Sequence, residues 1–290
     1  MTFSKLCLVT LTIALFAVSC QKDEPETPNL SPEEQAIAEA QEFLQASALM
    51  ESIFNSADEE SRQQPDLNGF QGEGPEVAPR NNCPVVTVTT TPQTIFPAVM
   101  TLDYGPGCTA AGGIQRSGQV IVTFDGLLFQ EGQTFTIDLV NYTENDNAVA
   151  GRFIATNLGE DASGFPTIST SIENGQVAFA NGNTFSYDSQ VIRKLVEGKD
   201  TNFFTDGLAG IFDDVWTYEG TASGVSNGNN YQFTTPNPVR EPLDCVWPTA
   251  GNLALSLPGF NFDVDLDYGN GDCDNVATLT AGTFSTQIQL

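Results

Sequence analysis

Apolar positions recur along this chain in two rhythms. Between Ser31 and about Asn55 they fall at helical spacing: Ile37, Ala40, Leu44, Ala48 and then either Glu51 or Ser52. Phe43, Met50, Ile53 and Phe54 widen the stripe. Ser31-Pro32-Glu33-Glu34 supplies the start: Ser as N-cap, Pro at the first helical position and Glu three residues after the cap to complete a capping box. The pattern predicts one amphipathic helix over residues 31–56, which packs on its own domain, spaces the fold from a membrane or offers its apolar stripe to a protein partner. Residues 57–82 mix acids, Gln, Gly and Pro without periodicity and read as a flexible linker.

From Cys83 to Leu290 the period changes to two. Short runs rich in Val, Ile, Phe, Thr and Tyr alternate with Gly and Asn turns, and about a dozen strands fit. In Thr134–Leu139, Phe135, Ile137 and Leu139 share one face while Thr136 and Asp138 share the other, as in a half-buried antiparallel strand. Residues 83–290 are therefore expected to be all-β, an antiparallel β-sandwich or barrel-like meander, with the last strand running from Thr283 to the end.

Three turn sequences predict registers. Asn174-Gly175 as a two-residue turn would pair Ile172 with Val177, and a three-residue loop Asn181-Gly182-Asn183 would pair Phe179 with Phe185 and Val177 with Tyr187. Asn227-Gly228 would set Tyr231 opposite Gly224 and Phe233 opposite Ala222, placing aromatic rings over the glycines on the face that also holds Trp216 and Tyr218. That sheet has one dry face, which must be covered by closure or stacking.

Two segments repeat one motif. Cys83 to Cys108 ends in Leu102-Asp103-Tyr104-Gly105-Pro106-Gly107-Cys108, and Cys245 to Cys273 ends in Leu266-Asp267-Tyr268-Gly269-Asn270-Gly271-Asp272-Cys273. Each reads as a disulfide-closed unit. Four cysteines allow three pairings. The repeat favours Cys83 with Cys108 and Cys245 with Cys273.

Residues 1–19 read as a secretory signal, with Lys5 as the positive region, Leu6 to Val18 as the apolar region and Ala17-Val18-Ser19 before Cys20. The apolar run is too short to span a bilayer. Small residues directly before a Cys resemble a lipobox, which implies cleavage before Cys20 and acylation of that residue. Several acyl chains on one Cys make a stable anchor. Residues 20–30 would then be a lipidated tether, and Gln21-Lys22-Asp23-Glu24 resembles the signal that sends lipoproteins of Bacteroidota to the outside of the outer membrane.

Composition narrows the function classes. Loss of residues 1–19 removes one of ten basic residues and leaves nine against 37 acidic ones, a net charge of −28. Such a field repels nucleic acid and anionic headgroups. The chain has no His, and with its cysteines used there is little to hold zinc or another soft metal. Asp263, Asp265, Asp267, Asp272 and Asp274 crowd around the second motif, and their D-x-D-x-D spacing is that of a calcium loop, but Tyr268 stands where such loops need Gly and Val264 and Leu266 alternate with the acids. A solvated strand face is the stronger reading, and no metal or cofactor is expected.

Without His no Ser-His or Cys-His pair can form, and no spacing singles out a catalytic pair among the 37 acids. Trp216, Tyr218, Tyr231, Phe233, Phe203 and Phe204 could line a glycan or peptide groove, although the hairpin register turns the first four toward the core. Trp247 follows Cys245 closely enough to pack on a disulfide. Taken together, Cys20 with its Gln-Lys-Asp-Glu tail, the Cys to Leu-Asp-Tyr-Gly to Cys units, Trp216-Thr217-Tyr218-Glu219-Gly220 with its Asn-Gly hairpin, and Asp244-Cys245 followed by Trp247 resemble the uncharacterised β-rich surface lipoproteins of Bacteroidota. The resemblance implies a lipid-anchored outer-membrane protein exposed on the cell surface and carries over no functional residues. A non-enzymatic structural or ligand-binding module is expected, with a glycan-binding or glycan-processing component as the alternative.

Overall fold

The computed structural model describes residues 30–64, 67, 83–91, 94–127, 130–201, 210 and 212–290. The expected signal, Cys20, residues 21–29 of the expected tether, Phe203 and Phe204 lie outside the described residues.

Helix α1 spans Pro32–Arg62. Its start is the capping box read from the sequence: the Ser31 hydroxyl accepts from the Glu34 amide at 3.2 Å, and the Glu34 carboxylate accepts from the Ser31 amide at 2.8 Å. Two expectations need correction. The helix runs six residues beyond 56 into the expected linker, because Ala57 and Glu60 continue the buried stripe that contains Met50 and Ile53. The stripe is also rotated: Ala36, Ala40, Phe43, Ala46 and Met50 form its centre, while Ala48 is exposed. Small residues at 36, 40 and 46 let the helix axis approach the sheet closely, and that closeness sets the face. Among the described residues no helix is long and apolar enough to cross a membrane.

The sheet is one antiparallel meander of thirteen strands in chain order. Its first half comprises β1 (Val85–Thr91), β2 (Thr94–Thr109), β3 (Gln115–Phe124), β4 (Thr134–Glu144), β5 (Asn147–Glu160) and β6 (Pro166–Ala178). There follow β7 (Thr184–Glu197), β8 (Val215–Ser226), β9 (Asn229–Pro242), β10 (Ala250–Ser256), β11 (Val264–Asn270), β12 (Val276–Ala281) and β13 (Phe284–Gln289). Among the described residues β13 pairs with β12 and not back to β1, so the meander is open. Helix and sheet form one compact unit, Ser31–Leu290, and not a β domain with a separate helix.

The dry face is covered by α1 instead of a second sheet. The helix crosses the strands diagonally: Glu33 lies by the β12–β13 turn, Phe43 packs on Phe185 and Tyr187 of β7 and Tyr231 and Phe233 of β9, and Phe54 and Ser56 meet Phe135 of β4 and Tyr104 of β2. Strands spaced about 4.8 Å apart put β2 and β12 roughly 48 Å from each other along the sheet. The helical stretch from Glu33 to Ser56 is only about 35 Å long, so the sheet curls to bring both strands against it.

Registers agree with the sequence where the turn is isolated. Asn227 and Gly228 hold positive φ of 47° and 89°, and Gly224 pairs with Tyr231 and Ala222 with Phe233 as expected. Elsewhere they depart. Asn174-Gly175 is not a turn but a bulge inside the continuous strand β6, with Gly175 opposite Tyr187 and Ile172 opposite Ser189. The bulge is held by the Asp188 carboxylate, which accepts from the Asn174 amide at 2.7 Å. Gly175 is required because a Cβ there would lie 2.3 Å from the Tyr187 carbonyl oxygen. The next loop is centred one residue earlier than expected, so Phe179 faces Asn183 and Val177 pairs with Phe185. A register shift of two preserves the faces, so the same side chains stay inward.

Both repeated motifs are hairpins closed at their open ends. Cys83–Cys108 joins the start of β1 to the end of β2, and Cys245–Cys273 joins the approach to β10 to the residues after β11. Leu102 and Leu266 are buried, as are Tyr104 and Tyr268. Asp103 accepts from the Gly105 amide and Asp267 from the Gly269 amide, each at 2.8 Å, and both glycines sit at positive φ, 59° and 93°.

Candidate functional site

Charged residues occur in the inward phase of several strands. Arg116 is in step with Val120 and Val122 on β3, and Arg193 with Tyr187 and Leu195 on β7. A buried charge needs partners, and the helix supplies part of each set.

Arg116 is fully engaged. Its Nε donates to Glu144 at 2.9 Å, Nη1 to Ser56 at 3.0 Å and Nη2 to Ser52 at 2.8 Å. Tyr142 donates to the same Glu144 oxygen at 2.8 Å, and Tyr104 meets Ser56 at 3.0 Å. Burial pushes the Tyr142 phenol well above its ordinary range, with the Glu144 charge adding to the shift against Arg116. The network is a dry polar clasp on the C-terminal half of α1. Near the other end Glu42 accepts from Asn183, and from Asn227 at 2.8 Å, tying the helix to the β6–β7 and β8–β9 turns.

Between these clasps, along one side of the helix, lies a groove of about 640 Å³. Leu44, Ala48, Glu51 and Phe54 belong to its helical wall, and Phe153, Phe233 and Leu253 are its most buried lining on the sheet side, with Tyr268 beside them. Leu243, Val246 and Trp247, from the loop that carries Cys245, line its rim together with Leu290. Val246 is 85% exposed, which is unusual for an aliphatic side chain beside an apolar depression.

Arg193 supplies the polar feature. Its Nη1 donates to Glu241 at 2.8 Å, its Nη2 to Glu51 at 3.1 Å, and its guanidinium lies 5.3 Å from the centre of the Tyr218 ring. Its Nε is buried and has no hydrogen-bond partner. Burial opposes the charge on Arg193, but the Glu51 and Glu241 carboxylates outweigh it and hold the guanidinium above its ordinary pKa. Burial raises Glu241, the Arg193 charge counteracts it, and Glu51 adds to the rise. The patch thus sets two carboxylates, both engaged by Arg193, on a mainly apolar wall. Its fixed charges sum to one negative.

The structure brings together few of the residues singled out from sequence. The two disulfides form as the repeat indicated. Asp263, Asp265 and Asp267 point outward, alternating with buried Val264 and Leu266, while Asp274 accepts from the Val276 amide at 2.9 Å. Among the described residues no three His, Cys, Asp or Glu side chains are placed to hold a metal ion. Tyr231 and Phe233 are buried beneath Phe43, and Tyr218 and Trp247 reach the groove. Arg193 and Glu241 were missed. Their signal was a charge in the apolar phase of a strand, and Glu51 carried the matching one at its place in the helical stripe.

Comparison with known proteins finds no matching family model, no matching curated protein and no matching solved structure.

Proposed function

We propose that this protein is a non-enzymatic outer-membrane lipoprotein, held on the cell surface by acyl chains on Cys20, whose folded unit binds a small, largely apolar ligand in the groove beside α1. The observation that carries the binding reading is the groove itself. Its volume of about 640 Å³ suits a small molecule, and its apolar walls with a few convergent polar groups are the usual make-up of such sites. Glu51, Glu241 and Arg193 are the charged groups on this lining. Two disulfides fit an exported protein, and the signal-like segment, Cys20 and the Gln-Lys-Asp-Glu resemblance to Bacteroidota surface lipoproteins support the anchor and its location.

Binding is tested by titrating the purified protein with Nile red. A saturable single-site rise in fluorescence is expected, and Ala48→Trp, at an exposed helical position on the groove wall, should abolish it. A linear, unsaturable response would overturn the binding reading. For the anchor, Cys20→Ala should release the protein from membranes. Replacing Lys22, Asp23 and Glu24 with Ala should make it resistant to protease added to whole cells.

A second reading has one observation in its favour: Trp247, Tyr218 and two carboxylates share one concave surface, the combination a sugar would use. Saturable heat on titration with a neutral oligosaccharide such as cellohexaose, lost in Trp247→Ala, would favour that alternative.

A further inference from the structure

Resting on the binding reading above, we infer that the groove selects a cationic ligand, an alkylammonium ion with an apolar body, over its neutral and carboxylate counterparts. The charged groups of the lining point to this. They are Glu51, Glu241 and Arg193, and the one cation among them is already shared between both carboxylates. The set keeps one uncompensated negative charge beside an apolar depression, on a strongly acidic chain. A ligand with one positive charge brings it to neutrality, a hydroxyl head leaves it as it is, and a carboxylate head doubles it.

The carboxylates are also the groups a ligand reaches. The Glu51 side chain is 44% exposed and that of Glu241 27%, against 21% for the Arg193 side chain that joins them. Arg193 repels a second cation, but two carboxylates outweigh one guanidinium, and Glu51, the most exposed of the three, is the group the head meets. An ammonium only donates and an ionised carboxylate only accepts, so the two are matched. Leu44, Ala48 and Glu51 follow one another at helical spacing on the same wall, a rise of about 10 Å, so a head at Glu51 lays an apolar body along Ala48 and Leu44. Phe153 and Leu253 face that body with hydrocarbon from the sheet. Trp247 and Tyr268 line the groove as well, and the faces of such rings attract an ammonium further. One exposed charge pair changes affinity by up to about fivefold, and the cation gains where the anion loses, so at least about tenfold separates those two heads.

The test uses the purified intact protein at pH 7.5 in about 0.15 M salt, which screens distant charges, and displacement of bound Nile red by three probes sharing one ten-carbon tail: decylamine, 1-decanol and decanoate. Decylamine is expected to displace the dye with at least about tenfold higher affinity than decanoate, and 1-decanol to fall between them. Glu51→Gln cancels the net charge of the set and should narrow the gap to within about threefold, while 1-decanol changes by less than about twofold. Asp265→Asn, which removes a charge from the exposed face of β11 away from the groove, should leave all three affinities as they were. Binding of 1-decanol or decanoate as tightly as decylamine would overturn the inference and leave groove binding intact. So would a decylamine preference that Glu51→Gln leaves whole, or that Asp265→Asn lowers as far, because the general charge of the chain would then be its source. Failure of all three probes to displace a dye that itself binds saturably would overturn it too. A dye that never binds would instead overturn the binding reading beneath it. The order of the probes on the parent protein decides even where Glu51→Gln fails to fold, and an unchanged thermal midpoint in that variant ties its effect to the groove.

Discussion

Tyr104 and Tyr268 hold the same place in two disulfide-closed hairpins, yet the first phenol is clasped to the helix and the second lines an open groove. The local chemistry of the copies is alike down to the aspartate that accepts from the amide two residues on. What differs is the helix above them. Over Tyr104, Ser52 and Ser56 are short, so Arg116 comes up against the helix and donates to both, and Glu144 accepts from Ser52. On the Tyr268 side, Glu51 reaches down to Arg193 with a long side chain, so the ion pair forms across a gap. A repeated hairpin therefore sets where a tyrosine points, while the length of the helical partner decides whether the site closes.

The largest effect should come from opening the closed side. Arg116→Leu leaves Glu144, only 4% exposed, as a buried uncompensated charge. A loss of about 3–5 kcal/mol in urea unfolding is expected. Arg193→Leu should cost less, about 1–2 kcal/mol, because Glu51 is 44% exposed and water can replace the guanidinium. Equal losses in the two variants would break the contrast between a dry clasp and a wet groove.

The disulfides sharpen it. They span 25 and 28 residues, so the chain-entropy argument assigns each about 3 kcal/mol and predicts nearly equal stability losses when either Cys pair is replaced by Ala. Function should separate them. Without Cys245–Cys273 the rim loop that carries Val246 and Trp247 is freed, and Nile red affinity should fall by about tenfold, whereas removal of Cys83–Cys108 should leave affinity within about twofold. Chemical denaturation and dye titration on the same two variants check both halves.

The contrast was only partly legible in the sequence. The capping box, the Asn227-Gly228 hairpin and the Cys repeat could be read because each is decided by residues close together in the chain, or by duplication. Asn174-Gly175 misled because the same dipeptide serves a turn and a bulge. The choice was made by β7, whose Asp188 and Tyr187 complete the bulge from the neighbouring strand. A helix end near 56 is expected because acids, Gln, Gly and Pro mix after it without periodicity, but Glu60 continues the stripe that Ala57 extends. The groove was invisible for a stronger reason. Glu51 and Arg193 are 142 residues apart and Arg193 and Glu241 are 48 apart; the path of the helix across the meander brings the first pair together, and the registers on either side of β8 the second.

The smallest effect lies in the turns of the two hairpins. Asp103 accepts from the Gln119 side chain at 3.0 Å as well as from the Gly105 amide, and these hydrogen bonds, Gln119 first, hold its carboxyl below the ordinary aspartate value of 3.8 against a weaker effect of burial. A carboxyl with a lowered native pKa binds its proton less readily in the folded than in the unfolded chain. Its contribution to stability is therefore complete above the unfolded value, near pH 4, and disappears as the pH falls through the native value below it. Asp103→Asn keeps an acceptor for the Gly105 amide but does not titrate, so its stability should fall less steeply than that of the parent below about pH 4. Urea midpoints between pH 5 and pH 2 should converge for the two proteins at the acid end and separate above it. Parallel curves across the whole range would mean that the Gln119 contact, present only in the first hairpin, does not distinguish the charged from the neutral carboxyl.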